Sequence, residues 1–333
     1  MSTARPPASE RRAQQTSYRS VGRSRIAAAS RKTILVALAA NAAVAIVKLA
    51  GGLLSGSTAL LAEAGHSVAD TANQGFLLAS IALAAREPSE ARPFGHGQQR
   101  FLWTFVAAVG MFVAGAVFAV GYGAVELARG GGEQGGFLVA WVTLAIAAIA
   151  EGTSWLRAVH QTRKEAEAAE RPLLEHVRRT RDPNVKMVVF EDTAALVGIA
   201  IAAAGIALHQ LTGASFWDPA ASIVIGVLLI GVAVWMARDV GGLLVGSAAQ
   251  PEERAAIERV LEAHPDIVEV RELLTMALGP NALLVAARVD LNDAASAADI
   301  ERTATVLDSA LRDEIPDVTE VFLDATPGDR SAR

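Results

Sequence analysis

The stretch STALLAEAGHSVADTANQ, residues 57–74, sets Glu63, His66, Asp70, Asn73 and Gln74 into a run that is otherwise Ala, Leu, Val, Gly and small hydroxyl residues. These five polar positions recur mostly at spacings of three and four, which lines them along one stripe of a helix. The run continues to residue 84 and is long enough to cross a bilayer. An ionisable side chain at the centre of a membrane helix costs about 2.5–3.5 kcal/mol on insertion scales, so each such residue needs a compensating partner. His66 and Asp70 lie about 40° apart around the axis and about 6 Å along it, within reach of one ion. A hydrogen-bonded pair joining two helices fits the same spacing, although burial of the whole stripe favours a cation site. Glu63 reads as lining an access path or as a solvated helix end, and Asn73 as a packing group or one that supports a ligand.

Outward from this stretch, composition agrees with a membrane protein. Apolar residues make up 52% of the 333, and the mean hydropathy is positive, which several spans explain better than one soluble core. Apolar runs of sufficient length fall near 33–54, 57–84, 101–128, 136–159, 185–211 and 218–238, giving six predicted helices. Asp182-Pro183 and Asp218-Pro219 read as N-capping carboxylates before a first-turn proline, at the starts of the fifth and sixth spans. Basic residues cluster in the amino-terminal segment, the second-to-third connection (Arg86, Arg92, Arg100) and the fourth-to-fifth connection (Arg163, Lys164, Arg171). That bias places both termini in the cytoplasm, in the plasma or inner membrane of the cell. The basic residues 1–30 read as a disordered cytoplasmic tail, though their Arg, Ser and Ala content also suits a transit peptide.

A soluble pattern begins after Pro251. Ala256, Ile257, Val260 and Leu261 share one helical face, as do Ile300, Ala304, Leu307 and Leu311 in a later helix that Ser296 and Asp299 would cap. Leu283, Val285, Ala287, Val289 and Leu291 alternate as in a half-buried strand, with 267–276 and 318–323 as partners. The order helix, strand, strand, helix, strand predicts a small α+β sandwich.

The chain has no cysteine, so any metal must be held by His, Asp, Glu or carbonyl oxygen. The predicted fifth span places Glu191 and Asp192 side by side in an apolar stretch. Neighbouring residues point about 100° apart, so one of them faces an ion squarely, and Asp192 is the first choice. Lys48, Lys186 and Glu151 are further charges in or near the membrane, for which interhelical pairing is the alternative to a functional role.

Together, residues 57–74, PFGHG at 93–97, DPNVKMVVFEDTAALVG at 182–198 and DPAASIVIGVLLIGVAV at 218–234 resemble the cation diffusion facilitator family, and look closest to its zinc transporter nine-like branch. The resemblance implies a homodimer with six membrane helices per subunit and a ferredoxin-like cytoplasmic domain. It also implies a tetrahedral metal site of two ligands on span two and two on span five, whose ion leaves the cytoplasm in exchange for protons. Position by position, His66 and Asp70 match the first pair and Asp192 one of the second. Where much of the family has His or Asp, this chain has Val188, so Glu191 substitutes, water completes the shell, or the protein supplies three ligands. The soluble part holds only His264, so the additional metal cluster of many relatives is not expected there.

The expected organisation is a tail over 1–30, an all-α six-helix transmembrane domain over 31–247, a ferredoxin-like α+β domain over 248–326 and a second tail over 327–333. The expected cargo is Zn(II), with Fe(II), Mn(II), Co(II) and Ni(II) as alternatives. Protons, membrane lipid and a second copy of the chain are the expected partners, with no organic cofactor and no nucleic acid. Glu63, Asn73 and Glu151 are candidates for supporting the ligands or carrying protons. Two other functions fit the residues: a membrane-bound metal-sensing or interaction protein with a structural metal site, and a proton-coupled organic cation carrier.

Overall fold

A computed structural model describes residue 35 and residues 38–84, 86, 88–131, 135–168, 170–180 and 183–326, without the side chains of residues 77, 179, 183–185, 187 and 188. The two expected tails, the Asp182 cap and the side chain of Val188 lie outside the described residues.

The chain forms α1 (Leu38–Ser55), α2 (Thr58–Ala84), α3 (Gln98–Ala128), α4 (Phe137–Ala168), the short α5 (Leu173–Arg179), α6 (Pro183–Thr212) and α7 (Trp217–Gly246). Among the described residues, five helices are long and apolar enough to cross a membrane: α1, α3, α4, the Val189–Thr212 part of α6, and the one that begins at Trp217. Leu54, Leu138 and Leu211, on the outer faces, are 73%, 78% and 82% exposed, which a helical bundle tolerates in lipid and not in water. The protein therefore has a mostly helical membrane domain. Helix α2 falls outside those five because its polar stripe lowers its hydropathy, yet it is 27 residues long and packs against α3, α6 and α7. Between α1 and α2, Gly56 adopts a left-handed φ of 71° that a side chain would strain.

Close helix packing depends on small residues. On α7, a Cβ at Gly226 would lie 3.0 Å from the Ala116 carbonyl oxygen of α3, and the Ser222 hydroxyl donates to the Ala119 carbonyl at 2.8 Å. Asp218 corrects the sequence reading. Helix α7 begins two residues earlier, with Phe216 at its N-cap, and Asp218 lies buried inside the first turn. Its carboxylate crosses to the start of α2, where it accepts hydrogen bonds from the Ser57 hydroxyl at 2.7 Å and from the Thr58 and Ala59 amides. The residue caps a neighbouring helix and not its own.

After α7 come α8 (Pro251–Glu262), β1 (Ile267–Gly279), β2 (Ala282–Leu291), α9 (Ala297–Glu314) and β3 (Val318–Ala325). β1 and β2 form an antiparallel hairpin, and β3 returns through α9 to pair parallel with β2, so β2 is central in a three-stranded sheet. Ile257 and Leu261 of α8, Leu307 and Leu311 of α9, and the alternating Leu283, Val285, Ala287 and Val289 of β2 make the core of this unit. Ser296 and Asp299 cap α9 reciprocally: the Asp299 amide donates to the serine hydroxyl oxygen at 3.3 Å, and the Ser296 amide to the carboxylate at 3.0 Å. The Ser296 hydroxyl, donating to the Asp299 carboxylate at 2.6 Å, and the Ser296 amide hold that carboxyl below its ordinary value.

The loop before α3 touches this unit. A Cβ at Gly97 would sit 2.4 Å from the Leu278 carbonyl oxygen, and the Phe94 ring meets Phe322 of β3 edge-on at 6.3 Å. His96 in the same loop is half-buried, its Nδ1 3.2 Å from Gln99 Nε2.

Candidate metal site

The polar stripe of α2 faces inward throughout. Glu63, His66, Asp70, Asn73 and Gln74 are all buried, at 7% exposure or less. His66 Nδ1 lies 3.6 Å from Asp70 Oδ1, beyond hydrogen-bonding distance. Among the described residues neither ring nitrogen of His66 has a hydrogen-bond partner, and the ring lies 5.8 Å from that of Phe112 on α3. A buried polar group left unsatisfied costs about 1–3 kcal/mol, so two orphan nitrogens on one imidazole are an expense that a bound cation would offset.

Helix α6 supplies the opposite wall. The buried Glu191 side chain accepts from Asn73 Nδ2 at 2.9 Å, and its carboxyl group neighbours that of Asp70. Two carboxylates so close repel strongly in an apolar interior, so they are held together by a proton or a cation between them. Asp192, one residue on and about 100° round the helix, is half-buried and accepts from Ser154 Oγ of α4 at 2.9 Å. Of the four expected ligands, His66, Asp70 and Glu191 are thus gathered where α2 meets α6, while Asp192 faces α4. Among the described residues no three His, Asp or Glu side chains are drawn together tightly enough to hold an ion. The arrangement is one of ligands nearby, not of a closed shell.

A second polar cluster lies one turn along α2. Lys48 of α1, fully buried, donates to Glu63 Oε2 at 3.1 Å, to Ser67 Oγ at 2.8 Å and to Glu151 Oε1 of α4 at 3.1 Å. Glu63 is therefore neither a solvated helix end nor exposed on a path: its exposure is 0%, and the lysine explains why burial is tolerated. Its other oxygen rests on α6, 2.0 Å from where a Cβ of Gly198 would stand. Lys186 is likewise paired, at 2.8 Å from Asp239 of α7.

Sequence reasoning missed Ser154, Ser67 and Gly198. Ser154 had a visible signal, since it follows Glu151 by three residues and so shares a polar stripe on an apolar helix. Ser67 and Gly198 had none, because small residues are common in membrane helices.

Comparison with known proteins bears on the same residues. Residues 34–245 match the model of the cation efflux transmembrane domain. The human proton-coupled zinc antiporter SLC30A9, mitochondrial, is 29% identical over 261 residues, which cover 78% of this chain and 46% of that protein. Metal tolerance protein C4 of Arabidopsis thaliana is 30% identical over 263 residues, covering 79% and 57%. Zinc transporter ZitB of Escherichia coli K12 is 27% identical over 252 residues, covering 74% of each chain. The chain thus spans about half the length of the SLC30A9 relatives it matches. The family match contains α2 and α6, where the orphan imidazole and its facing carboxyls sit, and by that match this chain belongs to the cation diffusion facilitator family.

Proposed function

We propose that the protein is a transporter and not an enzyme, exporting a divalent transition metal, Zn(II) foremost, from the cytoplasm in exchange for protons. The observation that carries this reading is His66: a buried imidazole with both nitrogens orphaned, beside Asp70 and across from Glu191. One imidazole with carboxylates suits Zn(II) and its first-row neighbours, whereas Ca(II) and Mg(II) prefer shells of oxygen alone. His66, Asp70 and Glu191 would hold the ion, with Asp192 joining by turning away from Ser154. Metal binding needs neutral imidazole and ionised carboxylates, so protons and metal compete for the same groups. Names of relatives that read "proton-coupled zinc antiporter" and "zinc transporter" support the cargo and the coupling.

The working form is a homodimer in the cell membrane. Helix α2 is its sixth span, since a 27-residue helix packed among three apolar ones has no other place to lie. The transmembrane domain extends over 31–247, and residues 248–326 form the ferredoxin-like cytoplasmic domain, both termini lying on that side as the basic loops require. The reading is tested in vesicles reconstituted with the protein, by measuring Zn(II) uptake under a proton gradient. Wild type should take up Zn(II), and His66→Ala and Asp70→Ala should lose uptake; absence of metal flux in wild type would overturn the reading.

A further inference from the structure

We propose that Lys48, Glu63 and Glu151 form a proton-carrying site, separate from the metal ligands, that supplies a coupling proton beyond those displaced at the ligands themselves; this rests on the reading of the chain as a proton-driven metal carrier. The argument is one of charge and place. The side chains of Lys48 and Glu63 are 0% exposed and that of Glu151 11%, and the single ammonium lies 3.1 Å from each carboxylate. Two carboxylates sharing one ammonium leave one negative charge, and a lone buried charge is too costly to persist. A proton on one carboxyl balances the cluster. Glu63 presents the place for it, since among the described residues Oε1 has no hydrogen-bond partner.

The surroundings link this proton to the metal. Around the cluster lie His66 and Asp70 on α2, both within electrostatic reach of Lys48, and Glu191 and Asp192 on α6, both within reach of Glu151. Glu63 and His66 are three residues apart on one face, about 5 Å along the axis. A divalent cation arriving at His66 raises the local positive potential and expels the proton, and by reciprocity the proton's return weakens metal binding. The proton leaves a carboxyl oxygen and the group is left as carboxylate, so one of the two positive charges of the entering cation is offset here and the other falls to the ligand carboxyls.

The test uses the full chain in vesicles, with Glu151→Gln and Glu63→Gln. In each, the remaining Glu and Lys48 make a neutral pair with no spare charge, and Gln copies the shape of a protonated carboxyl. Both variants should fold, bind Zn(II) and exchange external for internal Zn(II), yet move fewer protons outward per Zn(II) than wild type and respond less steeply to a proton gradient. Coupling as in wild type in either variant would overturn the proposal. So would failure of both to assemble, because a cluster that already holds a protonated carboxyl tolerates Gln. If wild type itself shows no Zn(II) binding, the metal-carrier reading fails instead, and the two results are distinct.

Discussion

Asp218→Ala tests whether this residue caps α2 and not α7. The carboxylate receives the Ser57 hydroxyl at 2.7 Å and the Thr58 amide, with the Ala59 amide more distant at 3.4 Å. Hydrogen bonds to a charged group contribute about 1.5–3 kcal/mol each, and the longest of the three counts for little. Ser57 Oγ still accepts from the Leu60 amide at 3.1 Å, so part of the cap survives the substitution. A net loss of about 3 kcal/mol at the start of α2 follows, which is on the order of 100-fold in the local opening equilibrium. Asp218→Asn retains an acceptor oxygen without the charge and should lose about 1 kcal/mol. Hydrogen exchange in lipid nanodiscs reads this directly at the amides of Thr58 and Ala59. The reasoning requires faster exchange there with the first turn of α7 unchanged. Faster exchange in α7 alone, or no change at either place, would refute it.

Three further substitutions follow from close contacts. Gly198→Ala would put a Cβ 2.0 Å from Glu63 Oε1 inside a buried cluster, so the thermal midpoint should fall, in line with about 1–3 kcal/mol for overpacking; an unchanged midpoint contradicts the contact. Asn73→Leu removes the donor to Glu191 Oε2, and Zn(II) affinity measured by titration calorimetry should drop about 10–100-fold, as for other groups that orient a ligand. Ser296→Ala should cost about 1 kcal/mol at the start of α9, read as faster amide exchange over residues 297–300. Because Asp299 is held below its ordinary value, the capping box is fully present above the unfolded carboxylate pKa of about 3.9 and is lost as pH falls through the lower folded value. Exchange at the start of α9 should therefore quicken in acid in wild type, and much less so in Ser296→Ala.

What could be read from the residues was whatever depends on local periodicity. The α2 stripe, the alternation in β2 and the capping box at Ser296 each follow from spacing within one element. What escaped depends on a second element. A carboxylate before a proline looks like a local cap, and only the approach of α7 to Ser57 makes Asp218 the cap of α2. Glu63 looked solvated because its depth depends on Lys48, fifteen residues earlier on another helix. The choice between Glu191 and Asp192 turns on the rotation of α6, which adjacent positions about 100° apart do not reveal. Glu191 meets Asp70 and Asn73, while Ser154 holds Asp192 to the side.

The most direct test of the metal site is X-ray absorption at the zinc edge of the Zn(II)-loaded, detergent-solubilised protein, beside His66→Ala. A site built on His66 predicts scattering from one imidazole at about 2.0–2.1 Å with oxygen neighbours. That imidazole signal should vanish in His66→Ala. An imidazole signal that survives the substitution, or a shell of oxygen alone in wild type, would contradict the account.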